Sequence, residues 1–361
     1  MSAPLTICLA AGGTGGHLLP AEALARELQQ RGIAVELISD KRVVDFAAGF
    51  PARAIHIVTA GTVTGQGLAG KVKGVFALVR GILECRALLR RIAPDVVVGF
   101  GGYPTVPPVL AASLRGIPTI LHEQNAVMGR ANRFLAGRVK AVATGFAIGA
   151  DKGFVQVGNP VRANVLAAAA IPMPALSSDA PIRLLVFGGS QGARVMAEVV
   201  PPAIGLLSLE QRKRLHITQQ ARDDDLERVR AAYSKLGIAH ECAPFFRDLP
   251  ERMAASHLVI ARSGASTIAE LSVIGRPSIL VPLPGSLDQD QAANARVLAD
   301  AGGADVMLQA VFTPRALAEK LGTILDNPEN LLETARNAQA IAIANAASRL
   351  ADLVLKVASH G

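Results

Sequence analysis

The sequence is poor in cysteine and aromatic residues, and it has no tryptophan. Its 361 residues include three cysteines, Cys8, Cys85 and Cys242, which lie far apart and show no Cys-x-x-Cys or Cys/His spacing. This pattern argues against a disulfide framework and a zinc site, and it favours a reducing compartment. Half of the residues are hydrophobic and 18% are charged, which excludes a disordered or low-complexity chain.

The sequence also lacks a signal-peptide pattern and an uninterrupted membrane-spanning run. The N-terminus leads directly into a strand pattern without a basic segment, so we expect no signal peptide. The longest charge-free stretch, Val96–Leu114, has 19 residues, which is long enough to cross a bilayer. Three prolines and three glycines interrupt it and would break the continuous helix that lipid requires. We predict a buried strand, a glycine turn and a helix in this stretch.

The positive charge of the chain is concentrated in its first half. The net charge is +8, and residues 1–160 contain 17 Lys and Arg against 9 Asp and Glu, whereas residues 161–361 contain 20 of each kind. The first half is therefore expected to face an anionic partner, which could be phospholipid, nucleic acid or a large phosphorylated substrate.

The two halves of the chain repeat one plan. Apolar runs alternate with amphipathic helix patterns, which indicates parallel sheets with helical crossovers. Strand, glycine turn and helix follow one another at 5–10, 11–16 and 20–30, and again at 182–187, 188–192 and 193–203. Further on, Gly-x-Pro-[Thr/Ser]-Ile-Leu occurs at 116–121 and at 275–280. Since a single core rarely exceeds roughly 250–300 residues, the sequence predicts two doubly wound domains.

The boundary between the domains is expected within Arg162–Pro181, where alanines and prolines replace periodic patterning. We predict an N-terminal domain at 1–162 and a C-terminal domain at 163–341. The alanine-rich C-terminal segment is predicted to be helical, and its helix at 342–359 is expected to join the N-terminal domain.

Both halves carry glycine loops where a parallel sheet binds ligands, beyond the carboxyl ends of its strands. Gly12–Gly16 and Gly188–Gly192 would let backbone N–H groups approach an anion closely. The first loop lacks the third glycine of a dinucleotide fingerprint, and neither loop continues as a P-loop. Asp40 follows a predicted strand and could take the place of the ribose-binding acid of a dehydrogenase, but this single acid gives only weak support for an NAD enzyme. Further glycine loops occur at Gly101–Tyr103 and Ser263–Ala265. Tight turns alone explain many isolated glycine loops, but four loops at ligand-facing positions favour an anionic ligand.

Polar residues next to these loops are the candidates for chemistry. His17 follows the first loop, and its imidazole could accept a proton near neutral pH, although a lone histidine is often structural. His122–Asn125 follow a buried strand and either line the site or cap the next helix. Glu270 lies one turn into a predicted helix behind a glycine loop, where a carboxylate could accept both hydroxyls of a ribose; a solvated helix glutamate is the alternative.

Two further polar segments have structural alternatives. The amides of Asp288–Asn294 could bind sugar hydroxyls, or the segment could cap a helix. Asp223–Asp225 superficially match the acidic metal-binding motif of some sugar transferases, but acids in the first turn of a helix are explained by the helix dipole.

A basic amphipathic helix is predicted over Leu68–Arg91. Its apolar stripe suits an interfacial helix on anionic lipid, although most such stripes face a core and this one has no tryptophan anchor. The residues assigned to a membrane face are Lys73, Val75, Phe76, Val79, Arg80 and Leu83.

Six motifs together resemble those of the MurG glycosyltransferases, in family order over nearly the whole chain. They are Ala11–His17, Gly101–Tyr103, His122–Asn125, Gly158–Arg162, Gly188–Ala193 and Arg262–Ala265. The resemblance implies an α/β GT-B fold, in which two doubly wound Rossmann-like domains face a cleft. It also implies inverting transfer of N-acetylglucosamine from UDP-N-acetylglucosamine to lipid I (undecaprenyl-pyrophosphoryl-MurNAc-pentapeptide), which forms lipid II for peptidoglycan.

The resemblance further implies which residues bind the substrates. The donor would contact Ser190, the backbone of Phe246, Ala265, Ser266, Thr267, Ile268, Ala269, Glu270 and Gln291 from one side. From the other side it would contact Thr14, Gly15, Gly16, Asn125 and Arg162. His17 is the candidate base, and the acceptor pyrophosphate is assigned to Gly13, Gly101, Gly102 and Tyr103. Asp290 stands where many relatives carry a neutral polar residue or histidine.

Helix N-termini would stabilise the departing UDP, so neither a metal nor another cofactor is expected for that step. The implied partners are UDP-N-acetylglucosamine, lipid I, an anionic membrane surface and other cell-wall synthesis proteins, but no nucleic acid. The implied location is peripheral, on the cytoplasmic face of the bacterial inner membrane. Two alternatives stay open from the sequence: a UDP-N-acetylglucosamine 2-epimerase of the same architecture, and a non-catalytic nucleotide-sugar-binding protein.

Overall fold

A computed structural model describes residues 5–12, 15–43, 49–60, 67–177, 181–189, 192–286 and 289–359, without the side chains of 67–72. The chain forms two compact units, one of residues Met1–Arg162 with Ile343–Gly361 and the other of residues Ala163–Ala342. We describe each unit by itself.

The first unit is a parallel sheet covered by helices on both faces. Its strands are β1 (Thr6–Ala10), β2 (Ala34–Ser39), β3 (Ala54–Ile57), β4 (Val96–Gly99), β5 (Thr119–Glu123), β6 (Ala141–Thr144) and β7 (Val155–Gln156). Its helices before the boundary are α1 (Gly15–Gln30), α2 (Gly67–Ile92), α3 (Val106–Ser113) and α4 (Arg130–Leu135). The strand order is β3-β2-β1-β4-β5-β6-β7. The strands at its centre are buried on both faces, which explains their unbroken apolar runs.

The second unit repeats this architecture. Its strands are β8 (Ile182–Phe187), β9 (Leu215–Gln220), β10 (Ala239–Ala243), β11 (Leu258–Ala261), β12 (Ser278–Leu280) and β13 (Ala304–Val306). Its helices are α5 (Ala163–Ala169), α6 (Arg194–Leu206), α7 (Leu209–Lys213), α8 (Asp223–Lys235), α9 (Leu249–Ala254), α10 (Ala265–Ile274), α11 (Asp290–Asp300), α12 (Pro314–Asp326) and α13 (Asn330–Ala340). The strand order β10-β9-β8-β11-β12-β13 matches that of β3 to β6 in the first unit. The predicted repeat of one doubly wound plan is confirmed.

The last helix, α14 (Ala346–Ser359), packs into the first unit against α1. Leu350, Ala351 and Val354 are fully buried in the core of that unit. Arg31, which directly follows α1, donates hydrogen bonds to Asp352 Oδ1 at 2.5 Å and to Ser348 Oγ at 2.8 Å. The helix predicted at 342–359 therefore begins four residues later, because the chain turns at 341–345, where it passes from one unit to the other.

One local prediction differs from the structure in detail. Helix α1 begins at Gly15 rather than Pro20, so Gly15, Gly16 and His17 form its first turn. Burial of Leu18, Leu24 and Leu28 on one face outweighs the low helix propensity of glycine. The prediction for Val96–Leu114 is confirmed, since the chain forms β4, a 3₁₀ turn at Tyr103–Thr105 and then α3. In the described part of the chain, no helix combines the length and apolar character needed to cross a bilayer.

Candidate active site

The loops after β1 and β4 bring His17 against two glycines of the first unit. Gly101 and Gly102 have φ angles of 84° and 73°, which favour glycine. A Cβ on Gly102 would lie 3.3 Å from His17 Nε2, and one on Gly101 would lie 3.5 Å from His17 Cε1. Thr105 fixes this arrangement by donating its hydroxyl hydrogen toward Gly101 O at 2.6 Å and Ala10 O at 3.1 Å. The imidazole therefore packs directly on backbone that could approach an anion.

His17 is connected through one side chain to a buried second histidine. Its Nδ1 lies 3.1 Å from Gln124 Oε1, and Gln124 Nε2 lies 3.0 Å from His122 Nδ1. His122 Nε2 lies 2.9 Å from the carbonyl oxygen of Gly158. Burial lowers the pKa of His122 to about 4, so this ring is neutral near neutral pH.

Glu123 organises the loop that follows β5. It is 2% exposed, and its Oε1 accepts hydrogen bonds from Asn125 N at 3.0 Å and Asn125 Nδ2 at 3.2 Å. Its Oε2 accepts from Gly129 N at 3.0 Å and Asn132 Nδ2 at 2.8 Å. The carboxylate thus fixes both the backbone and the side chain of Asn125, one of the residues assigned to donor binding.

The other assigned residues of this unit are only partly covered by the structure. Gly13 and Thr14 lie outside the described residues, whereas Gly15 and Gly16 open α1 and Tyr103 is partly buried. Arg162 is partly buried and is the last residue before the boundary between the units.

In the second unit, Gln220 joins two of the loops at the carboxyl edge of the sheet. Its Oε1 accepts from Gly188 N at 3.1 Å, and its Nε2 donates to Pro244 O at 3.1 Å. The glycine loop after β8 is thereby tied to the loop after β10 that carries Phe246. Ser190, assigned to this glycine loop, lies outside the described residues.

The segment Ala265–Glu270 forms the first one and a half turns of α10, directly behind Gly264. Ala265, Ser266 and Thr267 occupy the first turn, in which backbone N–H groups have no partner within the helix. Ile268 and Ala269 follow, and the Glu270 side chain is 8% exposed. A helix N-terminus of this kind favours a phosphate, and the carboxylate follows it within one further turn.

Hydrogen bonds join the start of α11 to the loop that precedes α10. Ser263 Oγ donates to Gln291 O at 2.8 Å, and Asn294 Nδ2 donates to Ser263 O at 3.2 Å. Gln291 Oε1 accepts from Leu283 N at 3.0 Å. With its oxygen engaged in this way, the Gln291 side chain would offer its amide hydrogens to a sugar hydroxyl. Asp290, the first residue of α11, accepts from Gln291 N at 2.7 Å.

Arg252 packs against the Phe246 ring and holds the loop that carries it. The guanidinium carbon lies 4.3 Å from the centroid of the Phe246 ring. The same side chain donates to both carboxylate oxygens of Glu241, at 2.5 and 2.9 Å, and to Asp248 Oδ1 at 2.8 Å. The Phe246 side chain is buried, and its contact with Arg252 holds the backbone of this loop in place.

The residues assigned to a membrane face lie on the exposed side of α2. Val75, Phe76, Val79 and Leu83 are 49–70% exposed. Lys73 is exposed, and Arg80 is exposed while donating to Glu84 Oε1 at 2.8 Å. The opposite face, with Cys85 and Leu89 fully buried, packs against the core. The predicted apolar stripe is therefore not the face that packs inside the unit.

Three positioning residues were missed from the sequence, namely Gln220, Asn132 and Arg252. Gln220 could have been found, because it ends a buried strand as His122–Asn125 do. The others lie in helices, where nothing local marks them. Asp223–Asp225 form the first turn of α8, and Asp225 accepts from Arg228 at 2.6 Å. Within the described residues, no cluster of three or more His, Cys, Asp or Glu could hold a metal ion.

Two doubly wound sheets, each with glycine loops and helix N-termini at the carboxyl ends of its strands, are the architecture of the GT-B class, and these edges suit a phosphate-bearing ligand. The glycosyltransferase family 28 N-terminal domain matches residues 7–144, and the family 28 C-terminal domain matches residues 183–352. A solved MurG structure from Acinetobacter baumannii superimposes with a TM-score of 0.80 at 30% identity, covering 98% of this chain and 100% of that one. The chain belongs to glycosyltransferase family 28 and, within it, to the MurG family.

Curated relatives agree with this assignment. The UDP-N-acetylglucosamine–N-acetylmuramyl-(pentapeptide) pyrophosphoryl-undecaprenol N-acetylglucosamine transferase of Mesorhizobium japonicum is 53% identical over 98% of this chain and 96% of its own length. The transferase of the same name from a Methylobacterium species is 55% identical over the same shares. A UDP-N-acetylglucosamine 2-epimerase from Neisseria meningitidis has a TM-score of 0.66 at 13% identity, over 98% of this chain and 100% of its own, which shows a shared fold alone.

Proposed function

We propose that this enzyme transfers N-acetylglucosamine from UDP-N-acetylglucosamine to lipid I and so forms lipid II for peptidoglycan synthesis. The observation that carries the proposal is identity of 53–55% over 98% of the chain to transferases of that name. The epimerase alternative has only a shared fold in its favour. The arrangement of polar groups in each unit supports the transferase chemistry.

The second unit binds the donor in this proposal. The N-terminus of α10 faces the diphosphate, where its N–H groups and dipole offset negative charge. Glu270 accepts hydrogen bonds from the ribose hydroxyls, and the backbone of Phe246 recognises the uracil. Gln291 donates to hydroxyls of the sugar. Ser190, on the glycine loop tied by Gln220, completes the donor contacts.

The first unit activates the acceptor. His17 removes the proton of the acceptor hydroxyl, whose oxygen bonds to the anomeric carbon as the bond from that carbon to the UDP oxygen breaks. The configuration inverts because attack and departure occur on opposite sides. Charge that develops on UDP is offset by the N-terminus of α10, so this step needs no metal. Gly13, Gly101, Gly102 and Tyr103 contact the acceptor pyrophosphate, and Thr14, Gly15, Gly16, Asn125 and Arg162 contribute to the donor.

The first unit also binds the membrane that contains the acceptor, through a peripheral face on α2. Phe76 is 70% exposed and Leu83 is 60% exposed, and basic side chains such as Lys73 and Arg91 flank them. Exposed apolar groups next to cations suit the interface of an anionic lipid surface. The excess charge of residues 1–160 is also positive, and so opposite in sign to an anionic lipid surface. In this proposal the enzyme works at the cytoplasmic face of the inner membrane, with other cell-wall synthesis proteins as partners.

The reaction is tested by transfer of labelled N-acetylglucosamine from UDP to a short-chain lipid I analogue in the presence of EDTA. We expect a disaccharide product and no UDP-N-acetylmannosamine. Donor binding without product would contradict either the identity of the acceptor or the claim that the step needs no metal. Repeating the assay with magnesium separates these two outcomes. Formation of UDP-N-acetylmannosamine would favour the epimerase.

The membrane face is tested by sedimentation with vesicles of phosphatidylglycerol and phosphatidylethanolamine. Replacing Phe76 and Leu83 by Gln removes apolar groups worth about 1.5 kcal/mol or more each when buried, so binding should fall at least about tenfold. The matched control is Leu206→Gln with Leu209→Gln, two residues of the second unit that are 61% and 58% exposed. Equal binding by the two double variants would contradict a role for α2.

A further inference from the structure

The chain of hydrogen bonds that begins at His17 ends at a group that can act only as an acceptor. The carbonyl oxygen of Gly158 can only accept, so His122 Nε2, 2.9 Å away, must carry its hydrogen. Because burial keeps His122 neutral, its Nδ1 has a lone pair and no hydrogen. This nitrogen lies 3.0 Å from Gln124 Nε2 and can only accept from it.

The orientation of the Gln124 amide follows from this assignment. Its NH₂ group points to His122, where it also donates to the backbone oxygen of His122 at 3.1 Å. Its carbonyl oxygen therefore points to His17. The backbone of Gln124 is held as well, because Asn159 Nδ2 donates to its carbonyl oxygen at 2.9 Å. An amide fixed at both ends cannot exchange its oxygen and nitrogen without losing several hydrogen bonds.

The last step concerns His17 itself. Gln124 Oε1 can only accept, so His17 Nδ1, 3.1 Å away, must donate. The lone pair of neutral His17 is then on Nε2, the nitrogen that faces Gly102. When Nε2 takes a proton, Nδ1 keeps its hydrogen, and the bond to Gln124 survives the proton transfer.

We infer that Gln124 and His122 are positioning residues that fix the Nδ1–H tautomer of His17 and thereby leave Nε2 as the nitrogen that accepts the acceptor's proton. The inference rests on the proposed function for the identity of that proton, but not for the tautomer. It also explains why an amide suffices next to His17: the amide selects a tautomer through the direction of its dipole rather than through a charge.

The direct test is the tautomer of His17 in the full-length protein, read by long-range ¹H–¹⁵N correlation after ¹⁵N-histidine labelling at neutral pH. The spectrum of His17→Gln identifies the signals of His17. We expect hydrogen on Nδ1 of His17 and on Nε2 of His122. Hydrogen on Nε2 of neutral His17 would overturn the inference. This measurement stands even if the wild-type protein transfers no sugar, in which case the proposed function fails alone.

The kinetic test compares two substitutions of Gln124 of similar size. Gln124→Leu removes the acceptor, so His17 can adopt the other tautomer, and kcat should fall about 100-fold, within the range for loss of a general base. The donor KM should stay within about twofold, because the tautomer matters in the transition state rather than in donor binding. Gln124→Glu keeps an acceptor for His17 Nδ1 and should retain at least about ten times the kcat of Gln124→Leu.

Gln30→Leu, an exposed glutamine at the end of α1, is the matched control and should leave kcat unchanged. Equal kcat values for Gln124→Leu and the wild type would contradict the positioning role. A Gln124→Leu variant that does not fold leaves the decision to the wild-type spectrum and to Gln124→Glu.

Discussion

Replacing Glu123 by Gln tests how the first unit holds Asn125. The two side chains have nearly the same shape, but the Gln side chain has one oxygen where the carboxylate has two. One pair of donors, either at Asn125 or at Gly129 and Asn132, would then face an NH₂ group. The side-chain amides of Asn125 and Asn132 can rotate to present oxygen, whereas the backbone N–H of residue 125 or 129 cannot.

The magnitude follows from counting donors that lose an acceptor. If the neighbouring amide rotates, one partly buried backbone N–H is left unpaired, which costs about 1 kcal/mol of the free energy of unfolding, the lower end of the range for a buried donor. If it does not rotate, a second donor is lost and the cost is roughly twice as large. Rotation of the Asn125 amide would also exchange its donor and acceptor ends, so the KM for UDP-N-acetylglucosamine should rise several-fold.

The assay is hydrogen–deuterium exchange resolved by peptide, because the protein has two units and its global unfolding need not be two-state. Peptides of the first unit should lose protection in Glu123→Gln, while those of the second unit act as an internal reference. Glu22→Gln, which weakens a surface ion pair with Arg26, should change stability by no more than about 0.5 kcal/mol. Protection in the first unit equal to that of this control would refute the assigned role of Glu123.

Three further predictions concern donor binding, the second unit and acid stability. Glu270→Ala should raise the donor KM more than it lowers kcat, since ribose contacts exist in the ground state; steady-state kinetics with a normal donor KM and lost turnover would contradict this. Arg276 is buried and donates to the carbonyl oxygens of Ala254, Ile274 and Ile171. Arg276→Met should therefore cost about 3 kcal/mol in the unfolding of the second unit by urea, against no change if water replaces these bonds. The folded pKa of His122, about 4, lies below its usual value of 6.5. Only the unfolded chain binds this proton between those values, so stability should fall as the pH is lowered from 6.5 to 4, by up to about 1.4 kcal/mol per pH unit, and less steeply in His122→Phe.

Sequence patterns predicted the architecture because parallel strands leave a strong signal. Their burial on both faces demands unbroken apolar runs, as in Val96–Val98 and Leu184–Phe187. The repeated strand orders then follow from repeated strand, turn and helix patterns. Helix boundaries were less predictable: α1 begins before Pro20, since packing of its buried face, rather than local propensity, decides where the helix starts.

The sequence predicted which loops carry the site, but it did not predict which atoms contact each other. Polar residues at the end of a buried strand pointed to His122–Asn125, and a glycine loop pointed to the segment after β11. The link between His17 and Gln124 joins residues 107 positions apart, and no local periodicity encodes such a contact. Glu123 could be recognised as polar at a strand end, but its donors come from Asn125, Gly129 and Asn132, whose side chains and N–H groups meet only after the loop and α4 have folded.

Helix α2 shows why an amphipathic pattern cannot by itself decide between a core and a membrane. The helix has apolar residues on two faces, and only the structure shows which of them is covered. Its covered face includes small residues, because there is no room for a side chain at Gly81, where a Cβ would clash with Thr59 O. Bulky Phe76 and Leu83 stand on the other face, 70% and 60% exposed. These two side chains depart from the usual expectation that large apolar side chains face inward, and burying them in lipid, as we propose, would remove the departure.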